Sequence, residues 1–261
     1  MIWRRTIKHL VIPDCQIRSG DDLSFLTAIG NYIVAKKPDV IVNIGDFADM
    51  PSLSSWDIGK REYEGRRYKK DVEAAVEAQK ALLDPIREFN IRAKKNKEKL
   101  YKPRMVLTLG NHENRINRAT SDDAKLDGLI GVSDLQYISF GWEVYPFLDV
   151  VVIDGVAYSH YFTTGIAGRP ASTASAQLSK KHMSCIAGHQ QGLQIATAYR
   201  ADGARITSVI AGSCYEHDED YLGPQGNKHY RGILVLHDVH DGEFELMPVS
   251  LSYLKKKYGS S

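Results

Sequence analysis

No apolar run in this sequence approaches the ~20 residues that a bilayer-spanning helix needs, which excludes a helical membrane protein. Residues 1–5 lead straight into a strand pattern without a signal-peptide core, so a cytoplasmic protein with no membrane contact is expected. Cysteine is scarce: Cys15, Cys185 and Cys214 are the only three, and none sits in a Cys-x-x-Cys spacing. That excludes a disulfide framework and suits a reducing compartment. The net charge of +2 is too small to mark a nucleic-acid binder on its own. Internal repeats, low-complexity stretches and linkers are absent as well. What is present is 261 residues with 43% hydrophobic content, enough for one sizeable core, and a single domain over residues 1–261 is expected.

The strongest periodic signals lie in the first half. Residues 7–13, 39–44 and 104–109 are short, aliphatic and β-branched, and end in turn-forming residues, as buried strands do. Between the first two, Leu23, Leu26, Ile29, Ile33 and Val34 recur at helical spacing behind a capping Asp22. Between the second and third, Val72, Ala75, Val76, Gln79, Leu82, Leu83, Ile86 and Phe89 form one stripe over 71–90, which Pro85 is expected to kink or restart. Strand alternating with helix predicts a parallel sheet, whose ligands sit outside the carboxyl ends of the strands. After Gly141 the pattern becomes strand-rich, over 142–145, 150–153, 156–159, 183–187, 193–199, 205–211, 232–236 and 243–249. A second, more antiparallel sheet is expected there.

Polar residues gather where these strands end. Asp14-Cys15-Gln16, Gly45-Asp46-Phe47-Ala48-Asp49, Gly110-Asn111-His112-Glu113 and Gly188-His189-Gln190-Gln191 each follow a strand pattern, and His160 follows another. Singly, each has an ordinary structural reading: Asn111 as a helix cap, Asp14 and Asp46 as turn residues, His160 as a core histidine. Jointly they deliver carboxylates, an amide and imidazoles to one sheet edge, the donor types of a divalent metal site.

In order and spacing these segments resemble the calcineurin-like metallophosphoesterase superfamily, over roughly residues 7–240. The stretches 39–68 and 214–226 look like its phage-encoded branch, which would place the protein in a host cytoplasm. The resemblance implies an α/β fold of two facing mixed β-sheets flanked by helices, a four-layer α/β/β/α sandwich. It implies a metal-dependent phosphoester hydrolase in which Asp46 bridges two divalent ions, Asn111, His160 and His189 complete one site, and Asp14 shares the other. His112, its ring oriented by Asp49, would stabilise developing charge or protonate the leaving oxygen. Two ions ~4 Å apart suit this chemistry because they clamp phosphoryl oxygens and turn a bound water into hydroxide near neutral pH.

The chain departs from the family pattern at Gln16 and Gln191, where two histidines would stand. An amide oxygen is a harder and weaker donor than imidazole nitrogen, so this subsite is expected to favour Mn2+ or Mg2+ over zinc and to hold an exchangeable ion. The alternative is a site that works with one ion or has lost activity.

Substrate contact is expected from the loop at 50–68, where Trp56, Tyr63 and Tyr68 lie among basic residues including Arg66 and Arg67. Aromatic faces with cations suit nucleobases and phosphates. Lys60, Arg61, Lys69 and Lys70 enlarge that basic cluster, and Arg115 follows the Asn111 motif by a turn of helix. The basic run at 92–104 reads as a solvated face, the acidic stretch around His217 as a solvated loop, and His229 as a rim or packing residue. Residues 159–170, beside His160, read as a second rim. Together these point to a phosphodiesterase or nuclease, ahead of a phosphomonoesterase on a nucleotide or phosphoprotein. The reading from another class is a metal-stabilised nucleic-acid-binding protein without turnover.

Overall fold

The computed structural model describes residues 6–55, 64–219 and 223–259. In chain order the strands are β1 (His9–Ile12), β2 (Val40–Asn43), β3 (Arg104–Thr108), β4 (Glu143–Tyr145), β5 (Val151–Ile153), β6 (Val156–Tyr158), β7 (Cys185–Ala187), β8 (Leu193–Tyr199), β9 (Arg205–Ala211), β10 (Gly232–His240) and β11 (Glu243–Ser250). The helices are α1 (Ser24–Lys36), α2 (Tyr68–Lys95), α3 (Asn114–Asp122), α4 (Ala174–Lys181), the one-turn α5 (Gly223–Gly226) and α6 (Leu251–Tyr258).

Two sheets result, in the orders β11-β10-β1-β2-β3-β4 and β5-β6-β7-β9-β8. Side-chain alternation along the strands decides how they stack. In register across β1, β2 and β3, Val11, Val42 and Val106 point to one face and pack, with Leu234 and Leu236, against Val156, Tyr158, Ile186 and Val209 of the other sheet. Their neighbours Leu10, Ile12, Ile41 and Leu107 point the opposite way, onto Leu26, Ile29 and Ile33 of α1, Ala75, Ala78 and Leu82 of α2, and Leu251 and Leu254 of α6. Burying each Leu or Ile side chain contributes about 1.5–3 kcal/mol. Helix α4 covers the outer side of β7, β8 and β9, which completes an α/β/β/α sandwich. No helix among the described residues is long and apolar enough to cross a membrane.

Two expectations change. The strand-rich second half does not build one sheet by itself: β4 joins β3 in parallel, and β10 pairs antiparallel with β1 and carries β11 with it. The first five residues of β10 are buried because they sit inside the first sheet, between β1 and β11. The second sheet is mixed, with β6, β7 and β9 parallel and antiparallel edges. Pro85 does not interrupt α2, which runs unbroken from Tyr68 to Lys95. Its ring is buried against Gly30 of α1, where a Cβ would fall 2.8 Å from Pro85 Cγ and 2.4 Å from the Leu82 carbonyl. Close packing onto α1 offsets the ladder hydrogen bond that proline forfeits. The basic stretch runs from the last turn of α2 through the connection to the start of β3, and residues 94–99 are all exposed.

Candidate metal centre

Loops leaving the carboxyl ends of β1, β2 and β3 meet loops leaving β6 and β7. The first two are zipped together: Cys15 and Gln16 donate backbone N–H groups to the Asp46 carbonyl at 3.0 and 2.8 Å, Ile17 to Phe47 at 2.9 Å, and Asp49 back to Ile17 at 3.1 Å. In this arrangement Gln16 (φ 45°) and Asp46 (φ 49°) take left-handed backbone, as does His189 (φ 67°). Each such residue with a Cβ costs about 1 kcal/mol or more, so three at one place mark a site where surrounding contacts hold side chains in fixed directions.

Two motif glycines are steric requirements. A Cβ on Gly110 would lie 2.0 Å from Asp46 Oδ1, and one on Gly188 would lie 2.3 Å from Asp14 Oδ1. Beneath them sits Glu113, fully buried. Its Oε2 accepts the backbone N–H groups of Gly110 (2.9 Å) and Asp46 (3.0 Å), and its Oε1 accepts those of Ala48 (3.0 Å) and the Tyr137 hydroxyl (3.1 Å). The carboxylate thereby ties the β2 loop to the β3 loop. Burial and the Asp46 charge push its carboxyl up, while the backbone donors hold it down.

The donor atoms converge as follows. His160 Nε2 lies 3.3 Å from Asp46 Oδ2 and 2.9 Å from Asn111 Oδ1, and His189 Nδ1 lies 2.7 Å from the same Asn111 oxygen. Ligand atoms of Asp46, His160 and His189 are all within 4.8 Å of one another, and among the described residues no other His, Cys, Asp and Glu group converges this way. His160 Nδ1 is bonded to the Ile44 carbonyl at 2.8 Å, which leaves Nε2 as the nitrogen for a metal. Asp14 is fully buried beside this set, both its oxygens accepting the His189 N–H at 3.1 and 3.0 Å.

Charge in the pocket is finely opposed. Burial pulls His160 down, but the Asp46 carboxylate overrides it and raises the imidazole to about 9. Burial and the His160 charge together lower His189 to about 4. Burial also pushes the Asp14 carboxyl up, whereas His112 and His160 hold Asp46 well below the usual carboxylate range in spite of burial. Two buried carboxylates that draw positive charge onto an imidazole suit a bound cation.

Whether the residues fit a divalent ion can be read from the glutamines. Gln16 is buried, and its Oε1 has no hydrogen-bond partner. An acceptor left so costs about 1–3 kcal/mol unless something binds it, which fits a ligand oxygen. Gln191 differs, because its Oε1 already accepts the Tyr215 hydroxyl at 2.6 Å. The donor set therefore fits a divalent ion at Asp46, Asn111, His160 and His189, with Asp14 and Gln16 adjoining. The two glutamines expected to share a subsite have different surroundings: the Gln191 oxygen carries the Tyr215 hydroxyl and keeps one lone pair, whereas that of Gln16 carries no bond.

His112 Nδ1 lies 2.5 Å from Asp49 Oδ1, and its Nε2 stands 3.7 Å from Asp46 Oδ2 and 3.3 Å from Arg115 Nη2. The Asp49 carboxylate also accepts Arg18 Nε on Oδ2 at 2.5 Å. Against burial, Asp46 and Asp49 push His112 up, and His112 with both arginines holds Asp49 well below the usual carboxylate range.

The expected substrate rim is only partly a rim. Trp56, Lys60, Arg61 and Tyr63 lie outside the described residues. Arg66 donates to the Pro51 carbonyl at 3.1 Å, and Arg67 is exposed. Tyr68 is turned away, its hydroxyl bonded to Asp134 Oδ2 at 2.6 Å. Arg115 faces inward and donates to the Asp49 and Met50 carbonyls, because its side chain is needed to close the β2 loop over α3. His229 has both nitrogens engaged, with Ser213 Oγ at 2.9 Å and the Gly226 carbonyl at 2.8 Å, which makes it a packing residue. The stretch around His217 is not merely a solvated loop: His217 stacks on Tyr215 at 4.3 Å, and Glu219 is buried against Arg18. Within 159–170, Tyr161 lies 4.8 Å from the His189 ring and 5.6 Å from Phe147, an aromatic wall beside the imidazoles. Arg18 and Tyr161 lie outside the motifs, and Glu113, the last residue of the Asn111 motif, has no role in the sequence reading. The available signal is position: Glu113 closes a motif, and Tyr161 follows His160.

No family model matches the chain. It is 39% identical over 79 residues to the Gene 54 protein of Mycobacterium phage L5, a match covering 30% of this chain and 29% of that protein. The Gene 54 protein of Mycobacterium phage D29 is 40% identical over 78 residues, with the same coverages. The chain thus spans under a third of the length of the curated relatives it matches. Among solved structures, a conserved uncharacterized protein and predicted phosphoesterase from Streptococcus pneumoniae TIGR4 superposes with a TM-score of 0.38 at 10% identity, covering 95% of this chain and 92% of that one.

Proposed function

We propose that this chain is a metal-dependent phosphodiesterase. The observation that supports the reading most directly is the convergence of Asp46, Asn111, His160 and His189, next to a loop whose Gln16 bonds the Asp46 backbone and carries an unengaged side-chain oxygen. Those four residues would hold one divalent ion firmly. Asp14, Asp46 and Gln16 would hold a second more weakly, and their oxygen-only set favours Mn2+ or Mg2+. Divalent ions at such a site supply Lewis-acid activation of water and neutralise charge on phosphoryl oxygens.

The chain's own groups do the rest. His112, its Nδ1 held by Asp49, directs Nε2 toward the Asp46 side of the cleft, where it passes a proton to the leaving oxygen. A proton donor so placed contributes ~10²–10⁴-fold. Arg18 and Arg115 keep Asp49 ionised, so the ring holds one orientation. The exposed Arg67, Lys69 and Lys70 lie at and next to the start of α2, which is joined to the β2 loop through Arg66, and they favour a substrate with a second ester arm over a monoester.

The test is hydrolysis of bis(4-nitrophenyl) phosphate and of 4-nitrophenyl phosphate with Mn2+, Mg2+, Zn2+ or Ni2+. Turnover of the diester is expected to exceed that of the monoester, to be highest with Mn2+, and to vanish with a chelator. Unchanged turnover after verified metal removal, or none with any of the four ions, would refute the proposal.

A further inference from the structure

We propose that Arg18 is a positioning residue that couples the segment around Glu219 to the His112–Asp49 pair. The inference rests on the phosphodiesterase reading and adds a residue to it. Arg18 Nε lies 2.5 Å from Asp49 Oδ2, and Nη2 lies 2.6 Å from Glu219 Oε1. The two carboxylates are nearly out of water, with side-chain exposures of 6% and 8%. Asp49 uses one oxygen for His112 and the other for Arg18, so its carboxylate cannot turn without losing a charge-assisted bond. A guanidinium spans two acids with different nitrogens of one rigid plane, which an ammonium cannot do.

The far end of this link is anchored. Glu219 exchanges hydrogen bonds with Asn227, its N–H donating to Asn227 Oδ1 at 2.8 Å and its carbonyl accepting Asn227 Nδ2 at 2.9 Å. Glu219 Oε1 also takes His217 Nε2 at 2.9 Å, and His217 stacks on Tyr215. Tyr215 holds Gln191, and the neighbouring Cys214 N–H donates to the Asp14 carbonyl at 2.7 Å. The segment 214–219 therefore touches the β1 and β7 loops directly, and Arg18 links its Glu219 carboxylate to that of Asp49 in the β2 loop. Without Arg18, the Asp49 and Glu219 carboxylates are left buried without the cation they share, and Asp49 loses its hold on one side.

The experiment compares Arg18→Gln, Arg18→Ala and Glu219→Gln with the wild type, each loaded with Mn2+ and checked for metal content and thermal unfolding. Two diesters are used, one expelling 4-nitrophenolate, which leaves without a proton, and one expelling unsubstituted phenol, which needs one. Arg18→Gln is expected to slow the phenol ester about tenfold or more and the nitrophenyl ester less than about threefold, with KM and metal content unchanged. Glu219→Gln follows the same pattern with a smaller loss, and added guanidinium restores part of the Arg18→Ala rate. An equal fall on both esters, a rise in KM at constant kcat, or loss of metal would overturn the assignment. If the wild type shows no metal-dependent turnover, the phosphodiesterase reading fails and the link is read alone, from the His112 Nδ1 proton resonance. Arg18→Gln must then shift or broaden that resonance, and an unchanged signal overturns the link.

Discussion

Replacing Glu113 with glutamine removes one buried negative charge and puts a donor group where one oxygen now fills two of the four acceptor positions. The favourable placement keeps the amide oxygen where Oε2 now accepts the Asp46 and Gly110 N–H groups. The NH2 then occupies the Oε1 position, where the Tyr137 hydroxyl can rotate to accept it but the Ala48 N–H faces a donor. One orphaned buried N–H costs about 1–3 kcal/mol, and the two bonds that survive lose their charge assistance. Relief of repulsion with Asp46 offsets part of this, which leaves a net loss of about 2 kcal/mol for Glu113→Gln. Glu113→Ala orphans three backbone donors and opens a cavity, so its loss is about 4 kcal/mol or more, a large part of a domain's total. Because the same bonds hold Asp46 in left-handed backbone, Glu113→Gln also weakens metal binding about tenfold. The assay is urea unfolding of chelated protein, read as a shift in midpoint at constant m-value, with metal titration alongside. A Glu113→Gln loss below about 0.5 kcal/mol, or an alanine variant no worse than the glutamine, would refute the brace.

Asp46→Asn and His189→Ala are expected to lose bound metal and turnover together, whereas His112→Ala keeps its metal and slows chemistry ~10²-fold or more; metal analysis finding His112→Ala stripped would refute its role. Gln16→His is expected to tighten the weak ion and shift it toward zinc, and Gln191→His to do less because it also removes the acceptor of the Tyr215 hydroxyl, as read by calorimetric titration. His9 is buried between Tyr158 and Asp154, and burial outweighs Asp154 to hold its pKa below the ordinary 6.5. The unfolded chain therefore takes up the proton first, so stability present above pH 6.5 is lost as pH falls from there toward the folded-state value. The slope is at most ~1.4 kcal/mol per pH unit for one proton, and urea midpoints of chelated His9→Gln should lose that share of the slope.

Much of the sandwich could be read from local pattern. Strands β1, β2 and β3 announced themselves as aliphatic runs of strand length, and α1 and α2 as stripes at helical spacing, because each must bury a face and the chain's own periodicity records it. Asp14, Asp46, Asn111, His160 and His189 stood at strand ends for the same reason: a parallel sheet exposes its carboxyl ends together.

Other features depend on partners far away in the chain. That β10 turns back to lie on β1 is a pairing between His9 and Leu236, and no periodicity within either strand encodes it. Pro85 reads as a helix breaker until Gly30 of another helix is placed against its ring. Glu113, Arg18 and Tyr215 look like ordinary charged or aromatic residues in sequence. They become a brace, a link and an amide anchor only when Ala48, Glu219 and Gln191 arrive beside them. Residue type and period are local properties that a sequence carries openly. Which donor meets which acceptor is decided by how the chain closes, where most buried polar groups find a partner within about 3 Å.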